Sequence, residues 1–512
     1  MAGDAADGMS VWNHLWNTVL PDYLSGSLQL MAGVTLLTLL LGVGSAWLVT
    51  QYSFVGVGFF NWALLLPLAM PTYITAYSYT GLLDVAGPIQ NTIRDSFGLS
   101  FGQYWFPEIR SIGGAIFVMS FVLYPYVYML ARASFLSQSD ELRDVARSLG
   151  YSRIKTFFKV TLPISRPAIV AGVSLALMET LADYGAVSYF GVSTFTTGIF
   201  RTWYGLDSVT TAAQLALALL MFIIILITIE KHSRRRIKYH TKKSKRSSDC
   251  GKLNLRKSLP LILLCAIPLL FGFVIPVWQL LVWAVQTHQQ LLEPAFWSLL
   301  GNTVTLAVVT SLLALILALS VAYSHRIVGN AVTRIAKRIA ALGYAVPGVV
   351  IAVGILIPLA RFDNAIDTWF RFNFEISTGL LISGTSAALI IAYLVRFLAI
   401  SINAVDSGLQ GINTSMDQAA RSLGSNPIST LRRVHIPIIK GSVLSGLLIV
   451  FVEVMKELPA TLILRPFNFN TLAVRAYELA SDERLTDAAL PAIAIVLAGL
   501  IPVILLTKKA SN

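Results

Sequence analysis

The sequence predicts an all-α, polytopic membrane protein built from two homologous transmembrane helix bundles. Three observations predict it: little charge for the length, long runs without a charged side chain, and a segment that recurs 274 residues later. Of 512 residues, 55% are hydrophobic and 13% are charged, and the mean hydropathy is +0.70. Soluble domains carry about 25% charged residues, so this chain has too little charge to cover a water-facing surface. Runs such as 28–50, 212–229 and 302–323 hold no charged side chain. At about 18 residues or more they can cross a bilayer as helices.

Taken in order, spans are expected near 27–50, 57–83, 112–133, 167–190 and 210–229 in the first half. In the second half they are expected near 259–284, 299–323, 339–359, 378–401, 441–464 and 488–506. Prolines inside them, such as Pro67, Pro71, Pro347, Pro358 and Pro459, are compatible with spans because neighbouring helices satisfy the freed backbone groups. This makes about 11 spans. The second half starts with a helix that the first half lacks, so a longer form of the chain would have 12. Residues 1–26 have no basic start and no apolar core before a small-residue cleavage site, so no cleavable leader is expected there.

Charge fixes the orientation. The net charge is +13, yet the first basic residue is Arg94, and 12 of the 39 Lys and Arg fall within 231–257. The loops 134–166, 231–257, 324–338 and 402–440 and the end at Lys508 and Lys509 are basic, and alternating the spans puts them all on one side. That side is the cytoplasm. Between membrane spans a basic run marks a cytoplasmic loop, so no nucleic-acid partner is expected. The two cysteines, Cys250 and Cys265, form no disulfide framework and no metal-ligand spacing. The expected domains are a first repeat at 1–230, a basic cytoplasmic linker at 231–257 and a second repeat at 258–512.

The repeat is explicit. Ala146-Arg147-Ser148-Leu149-Gly150 recurs as Ala420-Arg421-Ser422-Leu423-Gly424, and Pro163 recurs as Pro437 at the same offset. Such self-similarity is the signature of a duplicated architecture. Before each glycine, apolar residues lie at Leu142, Val145, Ala146, Leu149 and at Met416, Ala419, Ala420, Leu423. That spacing is one face of a helix. Gly150 and Gly424 suit the left-handed position that ends it. Ser152 in one copy, and Asn426 followed by Pro427 in the other, are suited to cap a second short helix. The segments 140–167 and 414–441 are therefore expected to be cytoplasmic helix–turn–helix units with an apolar face that needs a cover. A hairpin lying on the lipid surface would show the same amphipathicity, but would not need a fixed turn in two equivalent loops.

Asp144-Val-Ala-Arg-Ser-Leu-Gly150 and Gln418-Ala-Ala-Arg-Ser-Leu-Gly424, each with its downstream Pro, resemble the EAA loop of ATP-binding-cassette (ABC) importer permeases. The loop's usual first Glu is replaced by Asp144 in one copy and by the uncharged Gln418 in the other. The resemblance implies a coupling helix seated in a groove of a cytoplasmic ATPase, with Asp144, Ala146, Gly150, Pro163, Gln418, Ala420, Gly424 and Pro437 as docking residues. It implies two ATPase copies, an extracytoplasmic substrate-binding protein and a place in the bacterial cytoplasmic (inner) membrane. No Gly-x-x-x-x-Gly-Lys-Ser/Thr motif occurs, so no cofactor is expected on this chain. ATP and magnesium would belong to the partner ATPase, and the chain would be a transporter subunit and not an enzyme.

Ionisable residues within spans are candidates for a substrate path. Glu179 and Asp183 lie four apart, as do Glu453 and Glu457, a spacing that places each pair on one face if the helix continues. Oxygen-only clusters suit hard cations. Internal neutralisation, with Lys456 beside Glu457 and hydroxyl neighbours, is the equally weighted structural alternative. The stretches 179–185, 197–204 and 456–461 resemble the ferric-iron branch of these permeases, which implies iron as cargo, with the thiamine branch as the alternative. The loops 84–111, 191–209, 285–298, 360–377 and 465–487 should face outward. Their aromatics Trp105, Trp203, Tyr204 and Trp369 read as interfacial anchors. An ATPase-independent secondary transporter would share the repeats and buried carboxylates, but would not need two matched docking loops. The six histidines form no cluster, which argues against a membrane enzyme.

Overall fold

A computed structural model describes residues 16–138, 145–146, 148–234 and 253–511. The described residues are mostly helical, with no strand among them, and contacts divide the chain into two compact units, Met1–Val285 and Gln286–Asn512. Among the described residues, nine helices are long and apolar enough to cross a membrane. Val57–Ala69 and Thr72–Phe97 are together long and apolar enough for a tenth, but meet at 92°. Pro67 and Pro71 straddle the break, and Met70 between them is extended. The shorter apolar helix Ala489–Ile504 occupies the position of the last expected span.

The first unit is built on α1 (Leu20–Gln51), α2 (Ile112–Ser137), α3 (Leu162–Ala182) and α4 (Val209–Arg234). Its core gathers Val43, Ala46, Tyr124, Val127, Tyr128, Ala131 and Phe157. The second unit repeats the plan with α6 (Pro294–Val328), α9 (Ser386–Gln410), α11 (Ile436–Met455) and α12 (Ala489–Ser511). Leu20, Ile112 and Leu162 begin their helices 274 residues before Pro294, Ser386 and Ile436. Ala314, Ala318 and Ala322 form a buried stripe along α6. Small residues at such a spacing let helices approach closely where lipid supplies no hydrophobic drive between them.

Three expectations are corrected. The helix α5, Leu255–Gln286, belongs by its contacts to the first unit and not to a second domain starting at 258. Cys265 and Leu269 join the first unit's core, the Leu253 N–H donates to Ser53 O at 3.0 Å, and the Tyr79 hydroxyl donates to Phe271 O at 2.6 Å. Next, the spans expected at 167–190 and 441–464 start earlier, as Arg153–Ala182 and Pro427–Met455. The second short helix of each hairpin runs straight into its span through a π turn, at 157–161 and 431–435. In an α-helix the rings of Pro163 and Pro437 would strike the carbonyl four residues back, and the wider turn takes up that conflict. Finally, the span expected at 339–359 is α8, Gly348–Phe374, which absorbs most of a predicted outer loop and places Trp369 on a helix. Asp363 explains why it runs on. Its carboxylate accepts N–H bonds from Ile382 at 3.1 Å and Ser383 at 2.7 Å, tying the returning loop to the helix.

Candidate functional site

Both hairpins form the predicted turn. Gly150 and Gly424 have φ of +79° and +76°. The Tyr151 N–H donates to Ala146 O and the Ser425 N–H to Ala420 O, each at 3.0 Å. The Gly424 N–H also donates to Arg421 O at 2.9 Å, which completes a Schellman closure in the second copy. A Cβ on either glycine would meet nothing within 4 Å, so glycine is required for its backbone and not for space. The predicted caps are present too: Ser152 Oγ accepts from the Lys155 N–H at 3.2 Å, and Asn426 Oδ1 from the Ser429 N–H at 2.7 Å.

Each hairpin turns an alanine and a threonine inward, Ala146 with Thr156 and Ala420 with Thr430. Ala146 and Ala420 are buried, whereas Leu149 is 70% exposed, Leu423 86%, Ile154 60% and Ile428 65%. Val145 and Met416 are exposed as well. The apolar face is thus only partly used by the bundle, and a ridge of leucine and isoleucine stands free on both copies. Gln418, Pro163 and Pro437 are exposed. Asp144 lies outside the described residues.

The two hairpins are seated differently. In the first, the seat is aromatic: the Arg153 guanidinium lies 5.5 Å from the Tyr52 ring centre, and Trp47 meets Phe157 at 4.8 Å. In the second, the seat is ionic. Arg326, at the end of α6, donates to Asp417 Oδ2 from Nε at 3.0 Å and from Nη2 at 2.7 Å. It also donates to Leu409 O, and to Ile412 O at 3.0 Å. The fully buried His435 brings Nε2 to 2.7 Å from Asp417 Oδ1, and the Tyr323 hydroxyl donates to Pro427 O at 2.8 Å. The charge that Gln418 lacks is therefore carried by its neighbour Asp417, which sequence reasoning missed. Its partner Arg326 is 91 residues away, so no local pattern marks the pair. The positions 274 before Arg326 and His435 hold Tyr52 and Thr161, hence the unequal seats.

The acidic pairs do not share helix faces. The helix α3 ends at Ala182, between Glu179 and Asp183, and α11 ends at Met455, between Glu453 and Glu457. Beyond each break the second carboxylate holds the start of a short helix. Asp183 Oδ1 accepts from the Ala186 and Val187 N–H groups at 2.9 and 3.2 Å, and the Thr72 hydroxyl donates to Oδ2. Glu457 accepts from the Ala460 and Thr461 N–H groups at 3.0 and 3.1 Å and from the Thr461 hydroxyl at 2.7 Å. Arg396 adds an ion pair to Glu457 at 2.8 Å. Lys456 pairs with Glu453 at 2.8 Å, not with Glu457. Glu457, Asp183 and Glu453 are thus internally satisfied, which favours the structural alternative for them. Glu179 sits in the last turn of α3, partly buried. Among the described residues no group of three or more His, Cys, Asp or Glu could hold a metal.

Comparison with known proteins gives a consistent picture. A family described as "Binding-protein-dependent transport system inner membrane component" matches residues 38–239 and 314–508. The chain is 28% identical to the Fe(3+)-transport system permease protein FbpB 2 of Haemophilus influenzae, over 97% of this chain and 91% of the relative. It is 23% identical to the Putative ferric transport system permease protein FbpB 1 of the same organism, over 90% and 73%. A shorter match, covering 32% of this chain and 69% of the relative at 29% identity, is to the Molybdenum transport system permease protein ModB of Escherichia coli.

Proposed function

We propose, on the premise that the chain belongs to the binding-protein-dependent transport system inner membrane component family, that it is the fused permease of an ABC importer for ferric iron. It is a multi-pass inner-membrane protein. Two cytoplasmic ATPase subunits seat on the hairpins at 145–156 and 414–430 and carry the ATP and magnesium. An extracytoplasmic binding protein delivers the cargo.

The observation that carries this reading is the pair of uncovered apolar ridges, Leu149 with Ile154 and Leu423 with Ile428, presented on the same turn in both units. A solvated loop has no reason to hold two large apolar side chains in water, and to do so twice over, and a groove on a partner would cover them. The choice of iron rests on relatives named for ferric transport that span nearly the whole chain, because the carboxylates themselves are occupied in capping and pairing.

Purifying the full chain with a co-expressed ATPase, then assaying hydrolysis with and without iron-loaded binding protein, tests the coupling. Failure of any ATPase to bind would favour a secondary transporter. Radiolabelled iron and thiamine uptake in a deletion strain tests the cargo, and thiamine uptake without iron uptake would move the chain to the other branch.

A further inference from the structure

The second unit carries a helix that neither the docking nor the cargo reading uses. The helix α7, Ala331–Ala340, has ten residues. It follows Val328, the end of α6, after two residues, and α8 begins at Gly348 after seven more. Two extended residues reach about 7 Å, so the start of this helix is held at the level where a membrane span ends. Asn330 fixes that start by accepting from the Thr333 N–H at 2.9 Å.

One face is tied to the bundle. Lys337 pairs with Asp406 of α9 at 2.5 Å, and Thr333 meets His325 Nδ1 at 3.2 Å. The opposite face is apolar and uncovered. Val332 is 71% exposed, Ile335 55% and Ile339 65%, at helical spacing. Leu342, in the turn just past the end of the helix, is 50% exposed. Arg334 and Arg338 are exposed on the polar side, and the helix holds no acidic residue. The equivalent helix of the first unit, Val57–Ala63, has no charge at all, so the duplication does not account for the pattern. An apolar arc flanked by arginines, tethered at the end of a span on the positive side, has the chemistry of an interfacial helix.

We infer that α7, with the turn that follows it, is a membrane-surface anchor that inserts Val332, Ile335, Ile339 and Leu342 beneath anionic phospholipid headgroups held by Arg334 and Arg338 in the cytoplasmic leaflet. The site goes beyond the importer reading and needs neither cargo nor ATPase, so it can fail while that reading stands. Two arginines that each favour an anionic surface give a roughly 30-fold preference over a neutral one.

The test uses the full chain with Cys250→Ser and Cys265→Ala, carrying nitroxide labels at Val332→Cys or Ile339→Cys. It is reconstituted in vesicles of phosphatidylcholine alone or mixed with phosphatidylglycerol. In the mixed vesicles both labels should collide with dissolved oxygen and be shielded from a water-soluble nickel chelate. R334E/R338E should lower the partition of the labelled helix by more than the roughly 30-fold that loss of two arginine attractions gives there, and far less in phosphatidylcholine alone. R334Q/R338Q should act in the same direction without adding repulsion. Labels open to the nickel chelate in mixed vesicles would overturn the proposal. So would equal burial in both lipids with and without the arginines. Shielding that arises only when a cytoplasmic ATPase subunit is added would make the face a protein contact and would also overturn it.

Discussion

Removing the Asp417 carboxylate should loosen the second hairpin and leave the first untouched. Asp417→Ala takes away the acceptor of two Arg326 bonds, at 2.7 and 3.0 Å, and of the 2.7 Å contact with His435. A hydrogen bond to a charged group contributes about 1.5–3 kcal/mol. The bonds share one acceptor group, so their contributions do not simply add. Arg326 keeps its bonds to Leu409 O and Ile412 O, and the side chains of Arg326 and Asp417 remain 15% and 19% exposed. The net loss should be about 2–3 kcal/mol, or roughly 30- to 150-fold in local opening. Amide hydrogen exchange reads this directly, since the Gly424 and Ser425 N–H groups are bonded only while the turn is closed. They should exchange faster by that factor, while Tyr151 of the first hairpin stays as in the wild type. Asp417→Asn keeps an acceptor without the charge and should lose about half as much. Wild-type exchange at Ser425 in Asp417→Ala would refute the ionic seat.

Further outcomes follow from the same geometry. Replacing both Gly150 and Gly424 by valine should cost about 1–2 kcal/mol at each left-handed turn and uncouple transport; wild-type uptake with normal ATPase co-purification would count against it. Leu149→Asp and Leu423→Asp, at exposed positions, should change thermal stability by no more than about 0.5 kcal/mol while weakening ATPase capture, and unchanged capture would exclude these ridges as the contact. Glu457→Gln should destabilise the second unit by about 1.5–3 kcal/mol, because it takes the charge from the carboxylate that pairs with Arg396 at 2.8 Å and leaves a neutral acceptor; a melting temperature equal to wild type would contradict that. Gly348→Ala should act at the same place, since an added Cβ would stand 2.5 Å from Glu457 Oε1, and it should lower the melting temperature more than Gly354→Ala, where the space is open.

The helical class, the duplication and the hairpin turn are legible in the sequence because each is a local or periodic signal. Gly150, Ser152, Gly424 and Asn426 announce their conformations within a few residues. Misplaced boundaries have a common cause. Hydropathy finds where a chain is apolar, not where its helix ends, so α8 outruns the apolar stretch and the spans of both hairpins begin in their basic segments. The spacing rule that pairs Glu179 with Asp183 assumes an unbroken helix, and Tyr184-Gly185 and Glu457-Leu458-Pro459 mark the breaks only in hindsight. The Arg326–Asp417–His435 seat and the Arg396–Glu457 pair join residues dozens of positions apart, and one sequence alone holds no trace of such pairings.

The helix Leu255–Gln286 changes where this chain can be divided. A cut within the basic linker would strip the first unit of Cys265 and Leu269 and lay bare the cleft they fill beside Ala46, Leu48 and Phe54. A cut between Val285 and Gln286 would instead fall on the boundary between the two compact units, in the last turn of the helix. The separate fragments should therefore stay folded from the second cut, and the first fragment should aggregate from the first cut. The seam of the polypeptide lies one helix downstream of the seam in its charge.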